Sequence, residues 1–351
     1  MEKIHVGTGR SYDVFIGRGI LDRAGALPGK TGDARKAVLV CGENVRRLYA
    51  DRVREALAKE KVEVFDFVIA PGEASKSFEN YGKLLNFLCE KELSRSDMLV
   101  ALGGGVTGDL TGFAAATYLR GTGFIQIPTT LLAMVDSSVG GKTAINLRGG
   151  KNQAGAFWQP SAVLCDADTL MTLPEREYRS GMAEVIKYGV LGNRAFFEEL
   201  CADTPCTQEN MIGTCVCMKR DIVGEDELDN GKRQLLNLGH SFGLAIESLS
   251  GFEISHGEAV AAGMAVISKA SAALGYMKEE ECEAVLACLE RYGLPTDTDF
   301  TKEEIARFAG KDKKRRGDAI GLIVPRAIGS CEIMKVPIVD IPRWLSLGGV
   351  R

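Results

Sequence analysis

Three residues far apart in the chain are of the types that bind a catalytic divalent metal. Only three histidines occur, and His240 and His256 have glycines and acids beside them in "LNLGHSFG" and "EISHGEAV". A catalytic zinc takes three protein ligands and keeps one position open. Glu184, amid apolar residues in "GMAEVIKYG", is the best candidate for the third ligand, and Lys187 follows one helical turn later. Such a set polarises a hydroxyl or carbonyl group, although histidines that simply pack in a core are the alternative.

Cations and amides near these residues suit an anionic substrate. Arg233, Asn237, His240 and Leu244 are spaced i, i+4, i+7 and i+11, which predicts one face of a single helix. Arg233 and Asn237 would then lie beside the metal. Further cations are Lys219 and the run "KDKKRRGD" (311–318). That run is either a solvated loop or a loop that folds over a cleft.

A glycine turn in the first half has the layout of an anion-binding site. In "VALGGGVTGDLTGFAAATYLRG" (100–121), an apolar strand leads through Gly103–Gly105 into a helix. Glycines let the backbone approach a ligand, and a helix N-terminus favours an anion such as pyrophosphate. The spacing matches neither G-x-G-x-x-G nor a Walker A motif. A tight strand–helix turn, with Asp109 complementing the helix dipole, is the alternative.

Other polar residues are predicted to join this turn. They lie in "PGEASKSFEN" (71–80), "IPTTLLAMVDSSVGGKTAIN" (127–146) and "GGKNQAGAF" (149–157), which we interpret as loops at strand ends. Loops at the carboxyl edge of a parallel sheet converge, and cations with N–H groups suit phosphorylated ligands. The residues concerned are Glu73, Lys76, Thr129, Thr130, Asp136, Lys142, Lys151 and Asn152.

The elements that position these residues form two patterns. The first half alternates strand-like and helix-like segments, from "KAVLVCG" (36–42) to "QPSAVLCDADTLMTLP" (159–174), which predicts a doubly wound parallel sheet. Beyond Pro174 helical periodicity dominates until "DAIGLIVP" near residue 320. We therefore expect a Rossmann-like α/β domain over residues 1–175 and a mostly helical domain over 176–351. The site of such an enzyme usually lies between its domains.

Composition excludes several functional classes. The chain has 351 residues, a net charge of −4 and a pI near 5.7, which argues against nucleic-acid or membrane-surface partners. Its ten cysteines include no C-x-x-C pair, and its first residues have no apolar signal region. We therefore expect a cytoplasmic protein with free thiols.

Taken together, these motifs resemble the 3-dehydroquinate synthase family of sugar phosphate cyclases. The resemblance runs in order through "PGEASKS", "LGGGVTGDLTGFAAATYLRG", "IPTTLLAMVDSSVGGKTAIN", "GKNQAGAFWQP", "GMAEVIKYG", "RQLLNLGHSFG", "SHGEAVAAGM" and "DKK". It implies that the glycine turn holds the pyrophosphate of NAD. It also implies a homodimer, because Arg120 in "YLRG" matches a residue that reaches the substrate phosphate of the neighbouring subunit.

The resemblance assigns roles residue by residue. The NAD contacts it implies are Asn44, Glu73, Lys76, Gly104, Gly105, Val106, Asp109, Thr129, Thr130, Lys142, Lys151 and Thr172. The implied ligands of zinc or cobalt are Glu184, His240 and His256. The implied substrate residues are Arg120, Asp136, Lys142, Asn152, Lys187, Lys219, Arg233, Asn237, Lys313 and Lys314.

The implied reaction begins with 3-deoxy-D-arabino-heptulosonate 7-phosphate. A hydroxyl is oxidised by NAD beside the metal, phosphate is eliminated, and the ketone is reduced again. The ring then opens and closes as a carbocycle by an intramolecular aldol addition. Such chemistry requires a nicotinamide, a Lewis acid and cations at the phosphate. NAD is regenerated, so no net redox change is expected.

Two departures from the family pattern concern the site. Leu244 in "GHSFGLAIE" stands where the family usually has a second histidine, which assists proton transfer or phosphate contact. Leucine can do neither. In "CGENV" (41–45), Gly42 stands where an aspartate often binds the adenosine ribose. Either Glu43 or Asn44 substitutes for that aspartate, or NAD binds more weakly.

Three other functions remain as alternatives. One is a sugar phosphate cyclase with a different substrate, although Arg233, Asn237 and Lys219 favour an acid. Another is a metal-dependent polyol dehydrogenase, which would consume NAD and need fewer cations. A catalytically impaired or non-catalytic binding protein is the third, motivated by Leu244.

Overall fold

The computed structural model of the chain describes residues 1–27, 34–204, 206–309 and 318–351. They form two compact units. The first consists of Met1–Leu173 and Gln208–Leu228, and the second of Pro174–Thr207 and Asp229–Arg351. The segment Gln208–Leu228 therefore belongs to the first unit although it follows part of the second.

The strands form one large sheet and two hairpins. They are β1 (Glu2–Val6), β2 (Tyr12–Gly17), β3 (Lys36–Gly42), β4 (Glu63–Ile69), β5 (Met98–Gly103), β6 (Gly123–Pro128), β7 (Lys142–Leu147), β8 (Gly150–Phe157), β9 (Ala162–Asp166), β10 (Ala319–Ala327) and β11 (Ser330–Pro337). The large sheet has the order β1-β2-β9-β6-β5-β3-β4 and is parallel except for the β1–β2 pair. The antiparallel hairpins are β7–β8 and β10–β11.

Helices account for most of the remaining regular structure. They are α1 (Glu43–Val45), α2 (Asp51–Lys59), α3 (Phe78–Glu90), α4 (Gly105–Thr117), α5 (Glu175–Gly192), α6 (Arg194–Cys201), α7 (Gln208–Glu225), α8 (His240–Leu249), α9 (His256–Ala273), α10 (Glu279–Arg291), α11 (Lys302–Ala309) and α12 (Ile341–Leu347). Within the described ranges, none of them combines the length and the apolar character needed to cross a membrane.

The first unit confirms the predicted doubly wound sheet. Strands β3, β5, β6 and β9 are buried almost throughout, because apolar clusters pack against both faces of the sheet. A strand covered on both faces is a short continuous apolar run, as in "KAVLVCG" and "MLVALG". The carboxyl ends of these parallel strands all lie at the same edge of the sheet.

The second unit is mostly helical, as predicted, and β10 is the strand expected near residue 320. Its central helix, α9, is buried over most of its length. Small residues allow α8 and α9 to pack closely: a Cβ atom added to Gly263 would lie 2.1 Å from the carbonyl oxygen of Gly239. The close packing fixes the position of the N-terminus of α8, where His240 lies.

The prediction of a single helix through Arg233 and His240 is wrong. A 3-10 helix covers Lys232–Asn237, and α8 begins only at His240. Gly239 between them has φ +79°, and a Cβ atom there would lie 2.6 Å from the carbonyl oxygen of Val260. This left-handed conformation interrupts the helix. Arg233 and Asn237 therefore do not share a helical face with His240.

The α8–α9 contact gives a test of stability. We expect Gly263→Ala to lower the free energy of unfolding by about 1–3 kcal/mol, because its methyl group meets a backbone carbonyl that cannot move alone. Denaturant unfolding measures the change. Gly82→Ala in α3 is the matched control, since nothing lies within 4 Å of the added Cβ atom. Equal stability of the two variants would contradict the close packing of α8 against α9.

Candidate cofactor and metal sites

Glu184, His240 and His256 meet in the second unit. Among the described residues they form the cluster of acidic, histidine or cysteine side chains able to hold a metal, and their ligand atoms all lie within 4.8 Å of one another. Glu184 Oε1 is 3.1 Å from His256 Nε2 and 3.6 Å from His240 Nε2. One carboxylate oxygen therefore faces two imidazole nitrogens, which is the donor set predicted from the sequence.

Three helices bring these side chains together. Glu184 lies within α5 and is 0% exposed, whereas the histidines are the first residues of α8 and α9. The start of α9 is fixed by a capping box in which Ser255 and Glu258 bond reciprocally. Gly257 then packs directly on α5, and its N–H donates to Ser180 Oγ at 3.0 Å. Ser180 lies one turn before Glu184, so this contact aligns His256 with the carboxylate.

The outer nitrogen of each imidazole also has a partner. His240 Nδ1 lies 3.1 Å from the carbonyl oxygen of Leu238, and His256 Nδ1 lies 3.6 Å from Glu247 Oε2. Metal-binding histidines usually donate their second N–H to a carbonyl or a carboxylate, which orients the ring. Glu247 was missed from the sequence. The feature of the sequence that could have identified it is its position seven residues after His240, on the same face of α8.

The charges of the cluster suit a divalent cation. Lys187 forms a buried ion pair with Glu184 Oε2. Burial alone would lower the pKa of His256, but the carboxylates of Glu184 and Glu247 outweigh this effect and raise the pKa to about 10. The carboxylates thus favour positive charge at the point where a metal would bind. Two neutral imidazoles and one carboxylate are typical ligands of zinc and also suit cobalt.

The glycine turn of the first unit joins β5 to α4. Gly103 ends β5, Gly104 caps α4, and Gly105 begins the helix. A Cβ atom on Gly104 would lie 3.0 Å from Thr130 Cγ2, so the turn packs closely against the segment that follows β6. The N–H of Thr129 donates to the carbonyl oxygen of Gly103 at 3.0 Å. A helix N-terminus at the carboxyl edge of the sheet fits a pyrophosphate group.

Lys76 is the centre of a polar network beside this turn. Its buried Nζ atom lies 2.5 Å from Asp109 Oδ2 in α4 and 2.5 Å from Asn152 Oδ1 in β8. Glu73 Oε1 is 3.9 Å from the same nitrogen and 3.8 Å from Lys151 Nζ. Burial raises the pKa of Asp109, while the ion pair with Lys76 acts in the opposite direction. Residues predicted from three separate stretches of sequence are therefore in contact.

The interpretation of residues 142–157 as loops is wrong. Lys142 begins β7, and Lys151 and Asn152 lie in β8, so all three belong to a hairpin separate from the large sheet. Strand β8, "GKNQAGAF", contains few apolar residues and has no buried position. It therefore lacks the alternation from which a strand is predicted. The hairpin nevertheless brings Lys151 and Asn152 to Glu73 and Lys76.

Lys219 contacts Asp136, another predicted substrate residue. Lys219 Nζ lies 2.7 Å from the carbonyl oxygen of Asp136 and 2.8 Å from its Oδ1 atom. Asp136 lies in the π-helical turn Ala133–Ser137, and Lys219 lies in α7. Both residues belong to the first unit.

The remaining predicted residues differ in their surroundings. Arg233 is buried, and Asn237 Nδ2 donates to the carbonyl oxygen of Gln234 at 3.0 Å. Arg120 is exposed and has φ +65°. Val106 lies in the first turn of α4, Asn44 in α1 and Thr172 at the end of a 3-10 helix. Thr130 lies two residues after β6, and its Oγ1 atom accepts from the N–H of Ala133 at 3.2 Å. Lys313 and Lys314 lie outside the described residues.

Glu43 is engaged within its own helical segment. Its carboxylate binds Arg46 Nε at 3.1 Å and Arg47 Nε at 3.0 Å. These bonds lower the pKa of Glu43. Asn44, next to it, is exposed in α1, which directly follows the carboxyl end of β3. Of the two residues considered for a ribose contact, Asn44 is therefore the better candidate.

Solved structures share this fold over the whole chain. The 2-epi-5-epi-valiolone synthase ValA from Streptomyces hygroscopicus subsp. jinggangensis 5008, solved with NAD+ and Zn2+, has a TM-score of 0.88 and is 27% identical, covering 99% of both chains. A 2-deoxy-scyllo-inosose synthase, solved with carbaglucose-6-phosphate, NAD+ and Co2+, has a TM-score of 0.88, is 24% identical and covers 100% of both chains. Because its sequence identity is only 24%, the second structure supports the assignment of the fold and nothing further.

Sequence comparisons identify the family. The 3-dehydroquinate synthase N-terminal model matches residues 66–180, and the C-terminal model matches residues 181–315. The 3-dehydroquinate synthase of Caulobacter vibrioides (strain NA1000 / CB15N) is 45% identical over 349 residues, which are 95% of this chain and 94% of that protein. That of Streptococcus sanguinis (strain SK36) is 41% identical over 342 residues, 95% and 96% of the two chains. The chain belongs to the 3-dehydroquinate synthase family.

Proposed function

We propose that this chain converts 3-deoxy-D-arabino-heptulosonate 7-phosphate to 3-dehydroquinate and phosphate, a step of the shikimate pathway. The reaction combines a transient NAD-dependent oxidation, phosphate elimination, re-reduction and an intramolecular aldol addition. The observation that carries the proposal is the meeting of Glu184, His240 and His256 in a chain 45% identical to a 3-dehydroquinate synthase over 95% of its length. The enzyme is a carbon–oxygen lyase, since the phosphate ester bond is broken without hydrolysis.

Glu184, His240 and His256 would hold a zinc or cobalt ion. When bound there, the metal acts as a Lewis acid that acidifies a substrate hydroxyl. Leu238 and Glu247 keep the imidazole Nε2 atoms directed at Glu184 Oε1. Lys187, paired with Glu184 Oε2, holds the second carboxylate oxygen and restrains its rotation.

The glycine turn and the network around Lys76 would hold NAD. When bound, NAD can accept a hydride from a substrate carbon and later return it. Gly104, Gly105 and Val106 present the N-terminus of α4 to the pyrophosphate. Glu73 suits ribose hydroxyls, because a carboxylate accepts their hydrogen bonds. The other proposed contacts are Asn44, Lys76, Asp109, Thr129, Thr130, Lys142, Lys151 and Thr172.

Cations and amides would bind the seven-carbon acid. Arg233 is suited to the substrate carboxylate, because a guanidinium group binds a carboxylate in a bidentate manner. Asp136 holds the ammonium group of Lys219 in one position, so this cation is oriented before the substrate binds. The other substrate residues that we propose are Lys142, Asn152, Lys187, Asn237, Lys313 and Lys314. In this proposal residues 1–175 bind the cofactor, and 176–351 bind the metal and most of the substrate.

We also propose a cytoplasmic homodimer in which Arg120 of one subunit reaches the substrate phosphate of the other. The exposure of Arg120 supports this role. Leu119 and Arg120 both have positive φ, at +50° and +65°. Such backbone is costly for residues other than glycine, about 1–3 kcal/mol each, and often belongs to a functional position.

Similarity favours this substrate over those of other sugar phosphate cyclases. Identity is 41–45% with the 3-dehydroquinate synthases described above and 27% with ValA. The family resemblance therefore extends beyond the shared fold. Leu244 alone is not sufficient to favour another substrate.

Phosphate release tests the proposed reaction. We expect the purified chain, with NAD and zinc or cobalt, to release phosphate from 3-deoxy-D-arabino-heptulosonate 7-phosphate with no lasting absorbance of NADH. A chelator should abolish the release, and added metal should restore it. Lasting NADH would instead indicate a dehydrogenase. Absence of phosphate, with NAD and metal both bound, would overturn the proposed substrate.

The contact between Glu247 and His256 predicts that Glu247 strengthens metal binding. We expect Glu247→Gln to weaken zinc or cobalt binding by about 10–100-fold, because the imidazole loses the carboxylate that orients it. Metal titration followed by calorimetry measures this directly. Glu253→Gln, an exposed change beyond the end of α8, is the control. An unchanged dissociation constant for Glu247→Gln would show that Glu247 does not support the metal site.

The effect of Leu244 on turnover can be tested by introducing the histidine that the family usually has at this position. Leu244 lies one turn after His240 on α8 and is half-buried. We expect turnover of Leu244→His to equal or exceed that of the unmodified chain, because an imidazole adds a group able to transfer protons. Steady-state phosphate release gives the comparison, with Val339→His as an exposed control in the same unit. A large loss confined to Leu244→His would mean that the site has been rebuilt around leucine.

A further inference from the structure

Asn146 connects residues proposed to bind cofactor and substrate and is itself not among the proposed ligand contacts. It lies in β7, and its main-chain N–H donates to the carbonyl oxygen of Lys76 at 2.7 Å. It also forms an isolated parallel bridge with Ser77. The hairpin β7–β8 is therefore fastened at Asn146 to the segment that carries Glu73 and Lys76.

The two ends of the Asn146 amide bind different partners. Nδ2 donates to Glu73 Oε1 at 2.7 Å, and Oδ1 accepts from the N–H of Asn152 at 2.9 Å. The partners fix the orientation of the amide, because a carboxylate only accepts and a main-chain N–H only donates. The side chain thus joins one side of the network to the other.

Both partners depend on this amide for their direction. Glu73 Oε1 has lysine nitrogens at 3.8 and 3.9 Å, but its short hydrogen bond is the one from Asn146. Asn152 has φ +53°, a left-handed conformation that asparagine tolerates at some cost. Its N–H is held by Asn146, and its Oδ1 atom accepts from Lys76 Nζ at 2.5 Å. Asn146 and Lys76 therefore both hold the residue that is proposed to face the substrate.

We propose that Asn146 is a positioning residue that couples the cofactor carboxylate Glu73 to the substrate amide Asn152. The inference rests on the proposed function, since it takes the cofactor and substrate roles of these two residues from there. Asn146 itself need not touch either ligand. Its Nδ2 group maintains the affinity for NAD by orienting Glu73, and its Oδ1 atom maintains turnover by orienting Asn152.

Two substitutions separate the two ends. Asn146→Ala removes both hydrogen bonds. Asn146→Asp keeps an oxygen that accepts from the N–H of Asn152, but it cannot donate to Glu73 and places a second negative charge beside it. Gln153→Ala is the control, because Gln153 lies in the same hairpin and donates to the carbonyl oxygen of Gly149, outside the network.

NAD binding is measured by calorimetry without substrate, and phosphate release is measured at saturating NAD. We expect both Asn146 variants to raise the NAD dissociation constant about tenfold or more, as loss of a hydrogen bond to a charged group does. Turnover should fall about tenfold in Asn146→Ala and stay within about twofold in Asn146→Asp. Gln153→Ala should match the unmodified chain in both measurements.

Each contrary result has a distinct meaning. Unchanged NAD affinity in both Asn146 variants would overturn the inference while leaving the proposed function in place. Equal loss of turnover in Asn146→Ala and Asn146→Asp would overturn the division between the two ends. Failure of the unmodified chain to bind NAD would instead overturn the proposed function. If Asn146→Ala does not fold, the isosteric Asn146→Asp decides, because its predicted loss of affinity without loss of turnover is not a general effect of destabilisation.

Discussion

The buried carboxylate of Glu184 is the constraint on which the second unit depends. A charge withdrawn from water is costly unless partners surround it. Here the partners are Lys187 on the same helix and two imidazoles at the starts of α8 and α9. Each must arrive within hydrogen-bonding or ion-pairing distance, so three helices have to meet closely. The small residues at their contacts follow from that requirement.

Burial and tertiary contacts decide which features the sequence could predict and which it could not. Long apolar runs such as β3 and β5 were predictable, because burial on both faces leaves a continuous pattern. Glu184, His240 and His256 could be grouped by residue type. The break at Gly239 could not be predicted from the spacing of Arg233, Asn237 and His240, because it follows from the contact of that glycine with α9. The partnership of Glu247 with His256 is likewise a tertiary contact between two helices.

In the first unit, residue type was more informative than local structure. Glu73, Lys76, Asp109, Lys151 and Asn152 could be grouped because charged and amide groups follow glycines in successive segments, and the structure brings these residues into contact. Their elements were harder to assign, since β8 is short of apolar residues and the hairpin lies outside the large sheet. The role of Asn146 could not be predicted from the sequence, because it depends on the tertiary contacts with Glu73 and Asn152.

The place of α7 has a consequence for how this molecule can be divided. Its residues belong to the first unit, yet they follow α5 and α6 of the second unit in the chain. No single cut of the gene therefore yields an intact first unit. A fragment that ends at Leu173 lacks α7, and with it the lysine that binds Asp136. Exchange of the first unit between relatives would need three crossovers, after residues 173, 207 and 228, which favours inheritance of the whole chain as one piece.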